Sequence, residues 1–303
     1  LAGGQERTLR RKIKSVQSTK KITKAMELIA ASRIQKAISR MANARPYYRE
    51  ISEIVRDLVR AASLPKNPYT EPSGSLGVSV VISVTSDRGL CGIYNSSVLR
   101  ATERLSESLS AKGSKVEIVG VGKKAQNFFK FQEIKVATQV NGVTETPTYV
   151  QAMYILGSVL DRYERGEVSE VYIISHRFVS IGVQNLETTQ LLPISKEQLE
   201  ADASKSSGSF DFEFEPSREA IVVPLFRQFT LARLFALLLE ASAAEYAYRQ
   251  RAMKSASENA EELSRRYRRL LNRARQDSIT TEIMEIVGGA EALKGGEGLD
   301  DRD

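Results

Sequence analysis

Helix breakers divide this 303-residue chain into three parts. No glycine falls between Gly4 and Gly74 or between Gly208 and Gly288. No proline precedes Pro46, and none follows Pro224. Glycine costs backbone entropy inside a helix, and proline removes a hydrogen bond and clashes with the preceding turn. Two ends nearly free of breakers around a middle rich in them predict two long helices flanking a differently built domain.

Near the C-terminus, Met253, Ala256, Ala260, Leu263, Tyr267, Leu270 and Ala274 alternate spacings of three and four, the pattern of a heptad seam. Charged residues flank it, among them Glu261, Glu262, Arg265, Arg266, Arg268 and Arg269. The expected helix starts just after Pro224 and stops at Gly288 and Gly289. At 1.5 Å per residue it spans on the order of 95 Å, against a radius of gyration of roughly 20 Å for a compact domain of this size. Such a helix is expected to protrude. At the other end Leu9, Ile13 and Val16 form a stripe, which Ile22, Met26 and Ile29 continue after a phase shift near Lys20. Ala30, Ile34, Ala37, Met41 and Ala44 carry it on, until Pro46 is expected to kink or interrupt it. Because both helices attach to one central domain, they should run antiparallel. An ordinary helical hairpin in a bundle is the alternative, and the length argues against it.

In the middle, strands are expected at 77–85, 115–121, 168–175 and 183–192, with helices at 95–110, 125–131 and 148–164. That alternation implies a mainly parallel, doubly wound sheet. The polar stretch 204–217, with Phe210, Phe212 and Phe214 alternating, reads as an edge strand. The fold class is therefore α/β: a long antiparallel coiled coil of N- and C-terminal helices plus a central Rossmann-like domain. Its expected parts are a helix over 1–62, the α/β domain over 77–217, a second helix over 218–290, and an acidic, disordered tail over 291–303.

Composition narrows the chemistry. Cys91 is the only cysteine and His176 the only histidine, so no internal disulfide or cysteine-based metal cluster is possible and histidine-dependent catalysis is largely removed. The longest apolar runs, 78–84 and 234–239, fall short of a bilayer span, and no transmembrane helix is expected. The net charge of +7 is crowded at the start, where Arg7, Arg10, Arg11, Lys12, Lys14, Lys20, Lys21 and Lys24 face only Glu6. A transit peptide has a similar composition, but this pattern runs on past Met41. The opening Leu1 suggests processing or trimming.

Two loops invite a ligand hypothesis. Gly120, Val121, Gly122, Lys123 and Lys124 look superficially like a phosphate loop. Glu117 stands where the earlier glycine is needed, and Lys124 replaces the Ser or Thr. Gln126 and Asn127 likewise leave the dinucleotide fingerprint without its third glycine. The run Ser86, Asp87, Arg88, Gly89, Leu90, Cys91 and Gly92 would line the ligand crevice of a doubly wound enzyme. Cys91, however, has no activating base in view. The run reads as a structural loop in which Asp87 and Arg88 pair or cap locally and Gly89 and Gly92 permit a tight turn.

The residues also carry a family resemblance. The stretch from Ile13 to Val16, and then from Lys20 to Arg33, resembles the N-terminal signature of F-type ATP synthase gamma subunits. The 86–92 loop with Tyr94 and Asn95 resembles that family's central motif. Ala252, Met253, Lys254, Asn259, Ala260, 272–276, Ile279, Thr280 and 283–290 resemble its C-terminal one. The resemblance implies a central-stalk rotor inside a ring of three alpha and three beta subunits, joined to an epsilon subunit and the membrane c-ring, and turned by proton flow. It implies no catalytic, cofactor or metal site in this chain, with ATP, ADP and magnesium held by the alpha and beta partners. It also implies peripheral placement on the cytoplasmic face of a bacterial plasma membrane, with membrane contact only through the complex. By motif match Arg275, Gln276 and Thr280 would meet the beta subunit, with Lys20, Lys24, Met26 and Arg33 as facing contacts and Ile279, Ile283, Ile286 and Val287 as an apolar bearing tip. The regulatory cysteine pair of chloroplast forms is absent. The rival reading is a basic coiled-coil protein that binds nucleic acid through its clustered cations, with no nucleic-acid reading motif to support it.

Overall fold

A computed structural model describes residues 2–60, 67–70, 77–195 and 217–296; the 204–216 part of the expected edge strand and the end of the tail lie outside them. The elements are α1 (Ala2–Arg60), β1 (Val78–Val84), α2 (Tyr94–Ala111), β2 (Lys115–Val121), α3 (Lys123–Phe131), β3 (Val136–Val140), α4 (Tyr149–Glu164), β4 (Val168–Phe178), β5 (Gln184–Leu192) and α5 (Arg218–Gly296). The chain divides into two compact units, one of Leu1–Leu28 with Met253–Asp303 and one of Ile29–Ala252.

The second unit holds the five-stranded sheet, in the order β3-β2-β1-β4-β5. β1 pairs parallel with both β2 and β4, β2 pairs parallel with β3, and β5 returns antiparallel to β4. The chain winds outward from β1 to β3, then crosses back through α4 to the other side of β1. That reversal puts the switch point of the sheet at the end of β1. β3 is an element the sequence reading lacks; its half-exposed VATQV has too little apolar content to stand out. On one face Val81, Ile174, Val98 and Leu109 pack α2 onto the sheet. On the other, Val80, Ile82, Val84, Val171 and Ile173 meet Ile155 and Leu160 of α4, Ile51 and Val55 of α1, and Phe226, Phe229, Leu234 and Leu238 of α5. Burying each large apolar side chain contributes about 1.5–3 kcal/mol, so this layer dominates the unit.

That packing explains two corrections. Neither Pro46 nor Pro224 interrupts its helix. A proline inside a helix costs about 3 kcal/mol, which burial of Ile51 and Val55 after one, and of Val222 and Phe226 around the other, offsets. Within Ala220–Glu291 one 18-residue window reaches a mean hydropathy of 1.6, enough by length and composition to cross a bilayer, although half of it is buried in the protein. At the far end α5 runs through Gly288 and Gly289 to Gly296, so 291–296 are helical and not part of a tail.

In the first unit α1 and α5 lie antiparallel. Thr23 and Ser257 share a hydrogen bond of 2.7 Å, Lys20 pairs with Glu261, and Lys12 sits over the Tyr267 ring. The inward positions of α5 are Met253, Ser257, Ala260, Ser264, Tyr267, Leu271 and Ala274. The sequence reading shares Met253, Ala260, Tyr267 and Ala274 but picks the wrong neighbours between them, since Leu263 and Leu270 face outward. On α1 the inward set is Leu9, Ile13, Val16, Lys20, Thr23 and Glu27, with no shift of phase near Lys20. Ile22 and Leu28, at 62% and 60% exposure, point out. The seam mixes apolar side chains (Leu9, Ile13, Val16, Met253, Tyr267 and Leu271) with small and polar ones, and Ile22, Leu28, Leu263 and Leu270 lie outside it among charged residues.

The two registers make different demands on substitution. Ala260→Leu, which overpacks the true seam, should cost about 1–3 kcal/mol in chemical denaturation, while Leu263→Ala should stay within about 0.5 kcal/mol. Equal losses at both positions would refute the register described.

Candidate functional site

The switch point, where a doubly wound sheet normally receives its ligand, lies in the second unit. Here it is filled by the protein itself. Gly122, at φ 88°, caps α3, and a Cβ there would stand 2.1 Å from the Thr85 carbonyl oxygen, so only glycine fits. The α3 amides that could hold a phosphate are all occupied. Lys123 N donates to Asp87 Oδ1 (3.1 Å), Lys124 N to the Ser86 carbonyl (3.1 Å) and Ala125 N to Thr85 Oγ1 (2.8 Å). The other Asp87 oxygen accepts from Gly142 N at 3.0 Å. One carboxylate thus ties the β1–α2 loop to the start of α3 and to the β3–α4 loop.

The residues of the 86–92 loop make contacts other than those their sequence suggests. Asp87 caps a helix 36 residues away, and Arg88 pairs with Glu145 at 2.9 Å, so neither acts locally. Gly92 has a positive φ of 57°, but the other left-handed residue is Leu90, at φ 63°, not Gly89. The Ser86 hydroxyl donates to the Arg88 carbonyl (2.6 Å), and its amide donates to Asn95 Oδ1 (2.9 Å). Cys91 is buried and receives the Asn95 amide at 3.1 Å. Burial pushes its thiol up, against nucleophilic use.

Helix α5 closes the crevice. Arg249 Nη2 donates to the carbonyls of Arg88 and Gly89 (3.2 and 3.4 Å), and Nη1 pairs with Glu245 at 2.7 Å. Burial pushes the Glu245 carboxyl up, and the Arg249 guanidinium opposes it. Tyr94 donates to the Ala241 carbonyl, and its ring stacks on His176 with centroids 4.8 Å apart. His176 is buried, with Nε2 beside Ser97 Oγ and the Tyr94 carbonyl, and burial lowers its pKa to about 4. A separate apolar cavity of about 290 Å³, lined by Ala44, Tyr47, Tyr48, Tyr149, Ala232, Phe235 and Ala236, offers no acid–base pair. The sequence reading missed Arg249, Glu245 and Tyr94 as a group. Only the i, i+4 spacing of the first two could have flagged them.

The residues expected to meet partners fall as follows. In the first unit Lys20 and Lys24 already face carboxylates of this chain, Glu261 and Glu27. Met26 is half-buried beside the seam. Arg275, Gln276 and Thr280 lie exposed on α5, with the Thr280 hydroxyl donating to the Gln276 carbonyl. Ile279, Ile283, Ile286 and Val287 are each more than half exposed, on a stretch of α5 where every side chain from Ile279 to Glu291 is exposed. Arg33, in the second unit, is exposed. Among the described residues no cluster of His, Cys, Asp and Glu could hold a metal ion.

Comparison with known proteins gives a consistent answer. A family model described as ATP synthase matches residues 5–293. A curated ATP synthase gamma chain of Frankia casuarinae is 43% identical over 298 residues, covering 97% of this chain and 99% of that protein. The ATP synthase gamma chain of Streptomyces avermitilis is 40% identical, covering 96% and 97%. Among solved structures, a chain of the Euglena gracilis mitochondrial ATP synthase (OSCP/F1/c-ring, rotational state 3) shares the fold with a TM-score of 0.67 at 20% identity, covering 99% of each chain. A chain of the Tetrahymena thermophila mitochondrial ATP synthase central stalk and c-ring gives 0.56 at 24%, covering 78% of this chain and 99% of that one.

Two measurements test the geometry. Gly122→Ala should destabilise the protein by at least about 2 kcal/mol, while Gly142→Ala, with a positive φ but open space, should lose only about 1 kcal/mol. Because folded His176 titrates below its ordinary value of 6.5, its contribution is whole above pH 6.5 and is lost as pH falls towards 4. That loss amounts to about 3 kcal/mol, and His176→Gln should flatten it in unfolding measured from pH 7 to 4.

Proposed function

The chain belongs to the ATP synthase gamma-chain family, and from that premise we propose that it is the turning shaft that couples proton flow to ATP synthesis and, in reverse, hydrolysis to pumping. It is a non-catalytic subunit. In this reading three alpha and three beta subunits surround the helix pair, and the α/β domain joins an epsilon subunit and the c-ring. Nucleotides and magnesium sit on the alpha and beta partners. The chain is peripheral to the cytoplasmic face of a bacterial plasma membrane and reaches the membrane only through the complex. The nucleic-acid reading is not favoured by membership of this family.

The observation that carries the proposal is the set of large apolar side chains left exposed on the helix pair of the first unit. The pair buries Leu9, Met253 and Ala260 in its own seam, yet leaves Ile22, Leu28, Leu263 and Leu270 exposed along its length. Its apolar faces are suited to being covered by another protein. The exposed Ile279, Ile283, Ile286 and Val287 offer a surface without directional bonds, on which a sleeve can slide. Arg275 and Gln276 offer directional donors, with which it can grip. A shaft biases a catalytic site only by contacting its conformations with different free energies, and the coupling is reciprocal.

Purified chain added to alpha and beta subunits should restore rotary ATPase activity, and the chain alone should hydrolyse nothing. Specific nucleic-acid binding without association with those subunits would sink the proposal. In the assembled complex, Arg275→Ala with Gln276→Ala should slow ATP synthesis about tenfold, about 1.4 kcal/mol of barrier, while the helix survives by circular dichroism. Unchanged synthesis and hydrolysis would remove both residues from the path of force.

A further inference from the structure

We propose that the buried Glu245–Arg249 pair, seated in the loops at the carboxyl edge of the sheet, is the torsional key that fixes the α/β domain to α5. The inference rests on the rotor reading and names the residues through which force passes inside the second unit. Most contacts between α5 and the sheet are apolar: Phe226, Phe229, Leu234 and Leu238 against strand side chains. Such contacts resist separation, but they are non-directional and oppose a small turn of the helix only weakly. A guanidinium fork is directional, and in a buried site salt does not screen it.

Arg249 meets these requirements from both sides. On its own helix it is held by Glu245, one turn earlier, and lies over the Tyr246 ring with its guanidinium carbon 5.6 Å from the centroid. Both members of the pair are buried. Across the gap it grips two main-chain carbonyls, Arg88 and Gly89, so force reaches the backbone directly. That loop is not free to give. Asp87 ties it to the amides of Lys123 and Gly142, and Arg88 ties it to Glu145. Tyr246 also donates to the Glu145 carbonyl (3.4 Å), and Tyr94 reaches from α2 to the Ala241 carbonyl (3.2 Å). A buried ion pair is a costly way to gain stability compared with an apolar pair of the same volume. Directionality is what it adds here.

The test uses the complete ATP synthase in sealed vesicles, measuring protons pumped per ATP hydrolysed together with subunit assembly. Arg249→Met should assemble and hydrolyse ATP but pump less than half the protons per ATP of the unaltered complex, with Arg249→Lys between the two. A cross-link supplies the control. An ideal Cβ at Gly92 lies 3.8 Å from that of Ala252, within disulfide range; the φ of 57° there strains a side chain, so the same cysteine pair with Arg249 intact is the reference. Adding Gly92→Cys and Ala252→Cys to Arg249→Met, in a Cys91→Ser background, should restore the ratio when oxidised and lose it again on reduction. A normal ratio in Arg249→Met overturns the key. So does a defect, in coupling or in assembly, that the oxidised cross-link leaves in place. If the complex with the unaltered chain does not pump, the rotor reading itself fails, and the key with it.

Discussion

The packing of α5 across one face of the sheet is the constraint on which the rest of the second unit depends. Phe226, Phe229, Leu234 and Leu238 can be buried only if the helix lies over Val80, Ile82, Val171 and Ile173. Once it does, its next turns run past the carboxyl ends of the strands. There the loops that usually receive a ligand meet Ala241, Glu245 and Arg249 instead. Helix α1 follows the same logic, with Ile51 and Val55 in that layer and Ile34 and Ala37 against Ala243 and Ala247. Two prolines are carried inside these helices because the layer outweighs their cost.

The first unit obeys different rules. Its interior adds a Thr–Ser hydrogen bond and a Lys–Glu pair about two-fifths exposed to the buried Leu9, Met253 and Ala260. Exposed ion pairs contribute about 0–1 kcal/mol, and small residues bury little area. The pair has a narrow seam and leaves isoleucine and leucine exposed outside it.

Much of this was legible in the sequence. Missing glycines and prolines foretold both helices, and alternating strands and helices foretold the sheet, because both signals are local and repeat many times. What failed was finer. The seam differs from the expected one because Leu263 and Leu270 are apolar at heptad spacing, whereas the neighbouring Ser264 and Leu271 are the residues that face in. β3 escaped because an edge strand needs only one covered face. The long-range roles of Asp87 and Arg249 were hidden because each partner lies far away in the chain, and nothing in a short motif encodes that distance. The resemblance supplied rotation, which no spacing could.

The filled amino end of α3 has a consequence for regulation. A ligand shifts a conformational equilibrium only through unequal affinity for the two states, and without a site it shifts none. With Asp87, Ser86 and Thr85 already on the α3 amides, this domain keeps the outline of a nucleotide fold but not the means to hold a phosphate there. Its mechanical state is insulated at that point from the pool of nucleotides around it. The rotor answers to forces from its neighbours and not, through this crevice, to the concentration of what they make.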